Sequence, residues 1–290
     1  MEIISHFSDG PFISLRPQQV DQVRIVPKDG WYVVEVIYNS EEPPAQVDQQ
    51  LFIAIDLGVN VLATLTSNKP GFAPQLVNGR PLKALNQFYN KQRAQAQTRL
   101  ARGTHPRQSS RFLETITAKR TRRIMHQLHI ISRRIIELLK REGIGTLVIG
   151  KNPFWKQEVN LGKKNNQAFV QLPHARFIEL LTYKAEAVGI RVILTEEAYS
   201  SKASFLDRDP LPTYHPHEGQ DQEERPRFSG TRSGRWYRVK GRAPVHADVN
   251  GSYNIGRKVF PTAFDSLGIG GPAVRPVRFT GKVSGVGVTF

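Results

Sequence analysis

Residues 51–65 read Leu-Phe-Ile-Ala-Ile-Asp-Leu-Gly-Val-Asn-Val-Leu-Ala-Thr-Leu. Two apolar, β-prone runs flank a tight turn, which predicts a pair of buried strands. A carboxylate, Asp56, stands where the first run ends. An unpaired charge there is costly to bury. One account is a strand that closes in a turn capped by Asp56. The other is a metal-ligand Asp on the first strand of a nuclease sheet. Further carboxylates in comparable positions would decide between them.

The rest of the chain follows an α/β pattern. Strands are predicted at Leu51–Ile55, Val61–Thr66 and Gln75–Val77. Helical patterning starts near Leu82 and breaks at Gly103-Thr104-His105-Pro106. A long helix then runs from Arg107 to Glu142, ended by Gly143. Its residues Ile124, Leu128, Ile131, Ile135 and Leu138 form one buried stripe. A strand at Thr146–Ile149 precedes a polar loop, residues 151–170. Pro173 opens a helix at its first position, and Ile190–Leu194 is another strand. Residues 200–245 read as irregular. Asp248–Phe260 reads as a short helix stopped by Pro261, and the Gly/Val-rich tail offers one more strand. This order of elements is that of an RNase H-like mixed sheet with inserted long helices. Ahead of it, residues 1–50 hold a small β module, in which Pro27-Lys28-Asp29-Gly30 turns Val20–Val26 into Trp31–Tyr38. The predicted units are this module and its linker, a main domain at 51–264 with a helical insertion at 82–142, and a tail at 265–290.

Charge narrows the function. Lys and Arg number 41 against 25 Asp and Glu, a net charge of +16, which favours a polyanionic partner. The abundance of Arg favours phosphate contacts and hence nucleic acid over a membrane surface. No apolar run approaches the ~20 residues that span a bilayer. With no Cys in the chain, disulfides and thiolate metal sites are excluded. Eleven Lys or Arg lie between Arg102 and Arg141, with only Glu114 and Glu137 opposing them. From this run Lys119, Arg122, Arg123, Arg133 and Arg134 are candidate phosphate contacts. Lys151, Lys163 and Lys164 are further candidates. Trp155 with Lys156, and Trp236 with Arg235, interleave aromatics with cations. Such pairs either stack bases or snorkel in ordinary packing.

The acids carry the candidate chemistry. Asp248 opens His246-Ala-Asp-Val-Asn-Gly-Ser-Tyr-Asn-Ile255. There it reads either as a helix N-cap or as a carboxylate that shares a metal with Asp56. A third acid is expected from Glu197, with Glu196 as its alternate; both close the strand at Ile190–Leu194. Asp207 and Asp209 are reserves in a turn. Three hard carboxylates and no thiolate suit Mg²⁺ or Mn²⁺, with two ions clamping a phosphodiester, and not zinc. His215, His217 and His246 fit no standard ligand spacing.

The segments Leu51–Leu65, Thr195–Leu206 and Val245–Lys258 together resemble the TnpB family. These are OrfB-type transposon proteins related to type V CRISPR effectors. The resemblance runs from about Val20 to Phe264. It implies a RuvC-type nuclease that cuts DNA under an RNA guide, with Asp56 as first acid and Asp248 as third. The usual second acid follows the strand at Thr146–Ile149, where this chain has Gly150. In rearranged branches the Glu comes about 45 residues later, where Glu197 stands. The family's four-Cys zinc ribbon has no counterpart in 200–245, and a family member's N-terminal recognition part is expected to be missing here. Two readings follow. One is a metal-dependent DNA endonuclease with DNA and guide RNA as partners, placed in the prokaryotic cytoplasm on the nucleoid. The other is a nucleic-acid-binding remnant without programmable cleavage.

Overall fold

The computed structural model describes residues 2–5, 20–28, 31–38, 44–102, 109–151, 171–213, 226–265 and 275–279. Three sheets are formed. The first combines β1 (Glu2–Ser5), β2 (Val20–Lys28) and β3 (Trp31–Tyr38) in the order β1-β3-β2, all antiparallel. The predicted hairpin is present, and β1 adds a strand beside it.

The main sheet has six strands: β4 (Asp48–Leu57), β5 (Val61–Ser67), β6 (Gln75–Asn78), β7 (Ile144–Gly150), β8 (Arg191–Thr195) and β12 (Val277–Arg278). Their order is β12-β6-β5-β4-β7-β8. The β4–β5 and β5–β6 pairs are antiparallel, while β4–β7, β7–β8 and β12–β6 are parallel. The sheet is therefore mixed, as the order of elements predicted. The Gly/Val-rich tail supplies its edge strand.

Alternation along β4 sorts its side chains between two cores. Ile53, Ile55 and Leu57 join Leu147 and Ile149 of β7 on one face. Helices α1 (Arg80–Ala101), α2 (Arg111–Glu142) and α3 (His174–Glu186) cover that face. Here α2 seats its stripe of Ile124, Leu128, Ile135 and Leu139. Ser110 caps the start of α2 by accepting from Leu113 N, and Gly143 ends it in the left-handed region at φ 66°. Phe52 and Ala54 face the other way with Val148. They meet Val249, Tyr253 and Ile255 of α4 (Ala247–Val259) and the loop residue Phe205. By the same parity Asp56 projects toward α4.

Residues 200–213 and 226–245 are more ordered than their composition suggests. They hold β9 (Gly230–Ser233) and β10 (Trp236–Val239), which join β11 (Val245–His246) in an antiparallel sheet. These strands are short and mostly polar, so no apolar period marks them. Tyr237 is the buried anchor, and its hydroxyl donates to Lys202 O at 2.8 Å. Among the described residues no helix is long and apolar enough to cross a membrane.

Leu139 of α2 is fully buried between helix and sheet. Leu139→Ala is expected to lower unfolding free energy by about 2–5 kcal/mol. Phe112→Ala, on the exposed side of the same helix, is expected to stay within about 0.5 kcal/mol. Urea unfolding of the two variants measures the difference.

Candidate active site

Asp56 lies inside β4, paired opposite Thr64 of β5, and not past the strand's end. The strand runs two residues further than the apolar run because its backbone pairing with β5 continues to Leu57. The carboxylate is half-buried under the first turns of α4. The backbone of Gly251 comes so close that a Cβ there would sit 2.7 Å from Asp56 Oδ2. Ser252 fixes this approach. Its hydroxyl is buried and lies 2.9 Å from Ala54 O, 3.0 Å from Thr64 O and 2.9 Å from Thr66 Oγ1.

Helix α4 presents the remaining features of the Ala-Asp-Val-Asn-Gly-Ser-Tyr-Asn-Ile segment on distinct faces. Asn250 donates to Ala203 O at 2.7 Å and accepts from Phe205 N at 3.0 Å. One turn later Asn254 donates to Ser200 O and Ala203 O. The two amides clamp the 200–205 loop that follows Glu197. Tyr253 stacks on Phe205, ring centroids 4.2 Å apart.

Asp248 is not the N-cap. The helix starts at Ala247 with His246 in the capping position, which makes no side-chain cap bond. The backbone is still in strand β11 at His246, so the cap falls two residues before the acid. Asp248 instead sits in the first turn, where the helix dipole favours an anion. Its Oδ1 accepts from Arg232 Nη2 of β9 at 2.8 Å.

Glu197 rather than Glu196 acts on Asp56. Burial pushes the Asp56 carboxyl well above the usual carboxylate range. The negative charges of Glu197 and then Asp248 push it further, and Arg232 opposes them. Three acids separated by almost 200 residues of chain thus share one electrostatic site. Glu196 is ion-paired with Lys258 at 2.5 Å, on the α4 side. Gly150 explains how Glu197 reaches the site. It ends β7 beside Thr195 of β8, and a Cβ on it would stand 3.5 Å from Glu197 Cβ.

The reserve acids serve the loop. Asp209 is buried and accepts from Ser204 N, Ser229 N and Ser229 Oγ. Asp207 accepts from Ser204 Oγ and pairs with Arg242. His246 lies beside Asp248, while His215 and His217 fall outside the described residues.

The donor set fits a hard divalent cation in kind: three carboxylates, one of them raised in pKa by burial and then by the other two. Among the described residues no three acids or histidines stand in a ready metal cage. Arg232 supplies the counter-charge at Asp248.

The basic candidates divide by location. Lys119, Arg122, Arg123 and Arg133 lie on the exposed side of α2, across the sheet from α4. Arg133 is paired with Glu137, and Arg134 is half-buried. Lys151 is exposed just past β7, and its backbone N–H donates to Thr195 O. Arg235 and Trp236 flank the acid site on the β9–β10 hairpin, with Arg235 and Asp248 lining one cavity. Trp155, Lys156, Lys163 and Lys164 lie outside the described residues. Sequence reasoning missed Arg232. Its only signal was membership of a basic hairpin, which does not single it out.

The raised pKa of Asp56 makes its ionisation a cost to the fold. A carboxyl whose folded pKa lies above its unfolded value loses stability as pH rises from about 4 through the folded pKa. Asp56→Asn is therefore expected to be more stable than the parent at pH 7–8 in chelator, and the difference is expected to vanish below about pH 4. Each kcal/mol relieved would raise Tm by about 2–4 °C, which thermal unfolding across pH measures.

Comparison with known proteins divides the chain between two family segments. Residues 35–154, with Asp56, match the OrfB_IS605 family model, described as a probable transposase. Residues 174–255, with Glu197 and Asp248, match the Cas12f1-like TNB domain. No curated protein matches the chain. Among solved structures, a chain of the Cas12f1–sgRNA–target DNA complex superposes with a TM-score of 0.54 at 18% identity, over 77% of this chain and 42% of its own. A chain of a CRISPR-Cas12f ternary complex gives 0.51 at 16% identity, over 80% of this chain and 44% of its own. At such identities the likeness is one of fold, and this chain spans less than half the length of either. An OrfB-like segment is thus followed by a Cas12f1-like TNB segment on one chain with a mixed sheet, which is consistent with a short TnpB-like protein.

Proposed function

We propose that this chain is a divalent-metal-dependent DNA endonuclease, RNA-guided or descended from an RNA-guided ancestor. The observation that carries the reading is the convergence of Glu197 and Asp248 on Asp56. Carboxylates placed to repel one another are a poor choice for stability and a good one for cation binding. Asp56, Glu197 and Asp248 would hold Mg²⁺ or Mn²⁺, which supplies an activated water and charge stabilisation at the leaving oxygen.

The protein's own groups have definable tasks. Gly251 leaves Asp56 open beneath α4, and Ser252 keeps that distance constant. Arg232 neutralises Asp248; an arriving phosphate would offer its guanidinium a second acceptor of suitable geometry. The exposed cations Lys119, Arg122 and Arg123 of α2 would track backbone phosphates at a distance from the cut. DNA and guide RNA are the proposed partners. The grouping with OrfB and Cas12f1-like segments supports them, as does one structurally similar protein solved in a complex described with sgRNA and target DNA.

One observation favours the second reading, a binding protein without programmable cleavage. Arg232 already satisfies Asp248, so the acid needs no metal to be paired. Cleavage assays separate the two. Asp56→Ala and Asp248→Ala are each expected to reduce Mg²⁺-dependent DNA cleavage to background while nucleic-acid binding changes less than about threefold. Glu197→Gln should do the same and Glu196→Gln should not. Sequencing the RNA that co-purifies with the chain tests the guide. A parent protein that binds but never cuts, or acid variants that still cut, would remove the nuclease reading.

A further inference from the structure

The ion pair between Arg232 and Asp248 is too wet to hold itself in place. Its side chains are 42% and 24% exposed, and pairs so exposed contribute little by themselves. Arg232 also rides on β9, a four-residue strand of a hairpin, and a lone hairpin is marginally stable. Something else must fix this arm of the hairpin before its guanidinium can meet the acid.

Asp209 does so from the far end of β9. It is only 6% exposed. Its Oδ2 accepts from Ser204 N at 2.7 Å and from Ser229 N at 2.9 Å, and its Oδ1 accepts from Ser229 Oγ at 2.5 Å. Ser229 stands immediately before β9, on the strand arm that carries Arg232. Ser204 lies between Ala203 and Phe205, the residues whose backbone Asn250 of α4 clamps, with Asn254 holding Ala203 O and Ser200 O. The backbone carbonyl of Asp209 accepts from Arg257 Nη2 at 3.2 Å, so α4 grips this residue directly as well. The other arm, β10, is tied to the same stretch of loop, because Tyr237 donates to Lys202 O. Gly230 lets the two arms lie close: a Cβ there would stand 2.8 Å from Tyr237 Cε1.

The chemistry suits a carboxylate. Two backbone N–H groups and one hydroxyl converge on one side chain, and an ionised Asp is acceptor at every position. A charge buried this far is costly unless hydrogen-bonded. A turn whose only task was to reverse the chain would have no need of it.

We propose that Asp209 is a positioning residue for the acid site: through Ser229 it holds Arg232 against Asp248, and through Ser204 it ties that guanidinium to the loop that follows Glu197. One buried carboxylate thereby sets both the counter-charge and the mounting of the second acid. Arg232 competes with a cation for Asp248 Oδ1, and Asp209 fixes how strongly it competes. The part that concerns a cation rests on the nuclease reading; the placing of Arg232 does not.

The test uses the full chain, with thermal unfolding to verify the fold of each variant. The first readout is the Nε–H nuclear magnetic resonance signal of Arg232 in chelator, identified by its loss in Arg232→Gln. It is expected to be shifted and slow to exchange in the parent, and to move to the position of exposed arginines in Asp209→Ala. Asp209→Asn is expected to restore it, since the carboxamide oxygen still accepts from the two N–H groups and its nitrogen can donate to Ser229 Oγ. The second readout is Mn²⁺ affinity by calorimetry. Arg232→Gln and Asp209→Ala are each expected to tighten it about threefold. The double variant should bind no more tightly than either alone, and Asp209→Asn should match the parent. An unmoved Arg232 signal in Asp209→Ala would overturn the proposal, and so would Mn²⁺ effects that add in the double variant. A parent that binds no Mn²⁺ would remove the nuclease reading, and the Arg232 signal would then uphold or overturn the role of Asp209 by itself. Should Asp209→Ala fail to fold, Ser229→Ala, which removes one of the three bonds, takes its place in both measurements with the same expected directions.

Discussion

The site depends on a contact that glycine alone permits. Helix α4 lies against the face of β4 that carries Asp56, and the backbone of Gly251 takes the room a side chain would need. Any Cβ at 251 would push either the helix off the sheet or the carboxylate out of its place. Ser252, the next residue, uses the closeness: one buried hydroxyl bridges the carbonyls of Ala54 and Thr64 and the hydroxyl of Thr66. Those groups lie on adjacent strands around Asp56. Buried polar groups left unmatched here would cost about 1–3 kcal/mol each, so the bridge fixes helix height as well as contributing stability. From that height follow the position of Asp248 in the first turn and the reach of Asn250 and Asn254 to the loop beyond Glu197.

A fixed helix also explains why a crowded set of acids is tolerable. Asp56 cannot relax away from Glu197 and Asp248, because β4 is paired on both sides by β5 and β7. The repulsion is met instead by Arg232, which arrives on a hairpin outside the main sheet. The charge that balances the site therefore belongs to a separate small sheet, anchored by Tyr237 and by the Asp209 hydrogen bonds to Ser204 and Ser229.

Much of this was legible in the sequence where apolar period and punctuation agree. The β4 and β5 runs, the α2 stripe and the Gly143 stop each state one structure. Asp56 was readable as a carboxylate at the end of a buried strand and Asp248 as one at the start of a short helix. Elements without an apolar period were not legible: β9 and β10 are polar strands of four residues held by a single buried Tyr. The N-cap reading of Asp248 fails because β11 pairing sets where the helix begins, with His246 in the capping position. Arg232 could not be singled out, since its meaning comes from a hairpin that meets the start of α4 only in the folded chain.

The hardest position to read, Gly150, has a steric explanation. It faces α4 on β7, as Asp56 does on neighbouring β4. A Cβ there would stand 2.6 Å from Ile255 Cδ1 and 3.5 Å from Glu197 Cβ. An acid at 150 and an acid at 197 would therefore compete for one volume beneath the same helix. Because β8 is parallel to β7 and pairs Thr195 with Gly150, the chain two residues past Thr195 turns over the end of β7 and delivers its carboxylate into that volume. Glycine at 150 and glutamate at 197 are two halves of one arrangement. A side chain at 150 would have to move the Ile255 side chain of α4 aside before it met Glu197, so the space beneath the helix is open to the carboxylate from 197 and closed to one from 150.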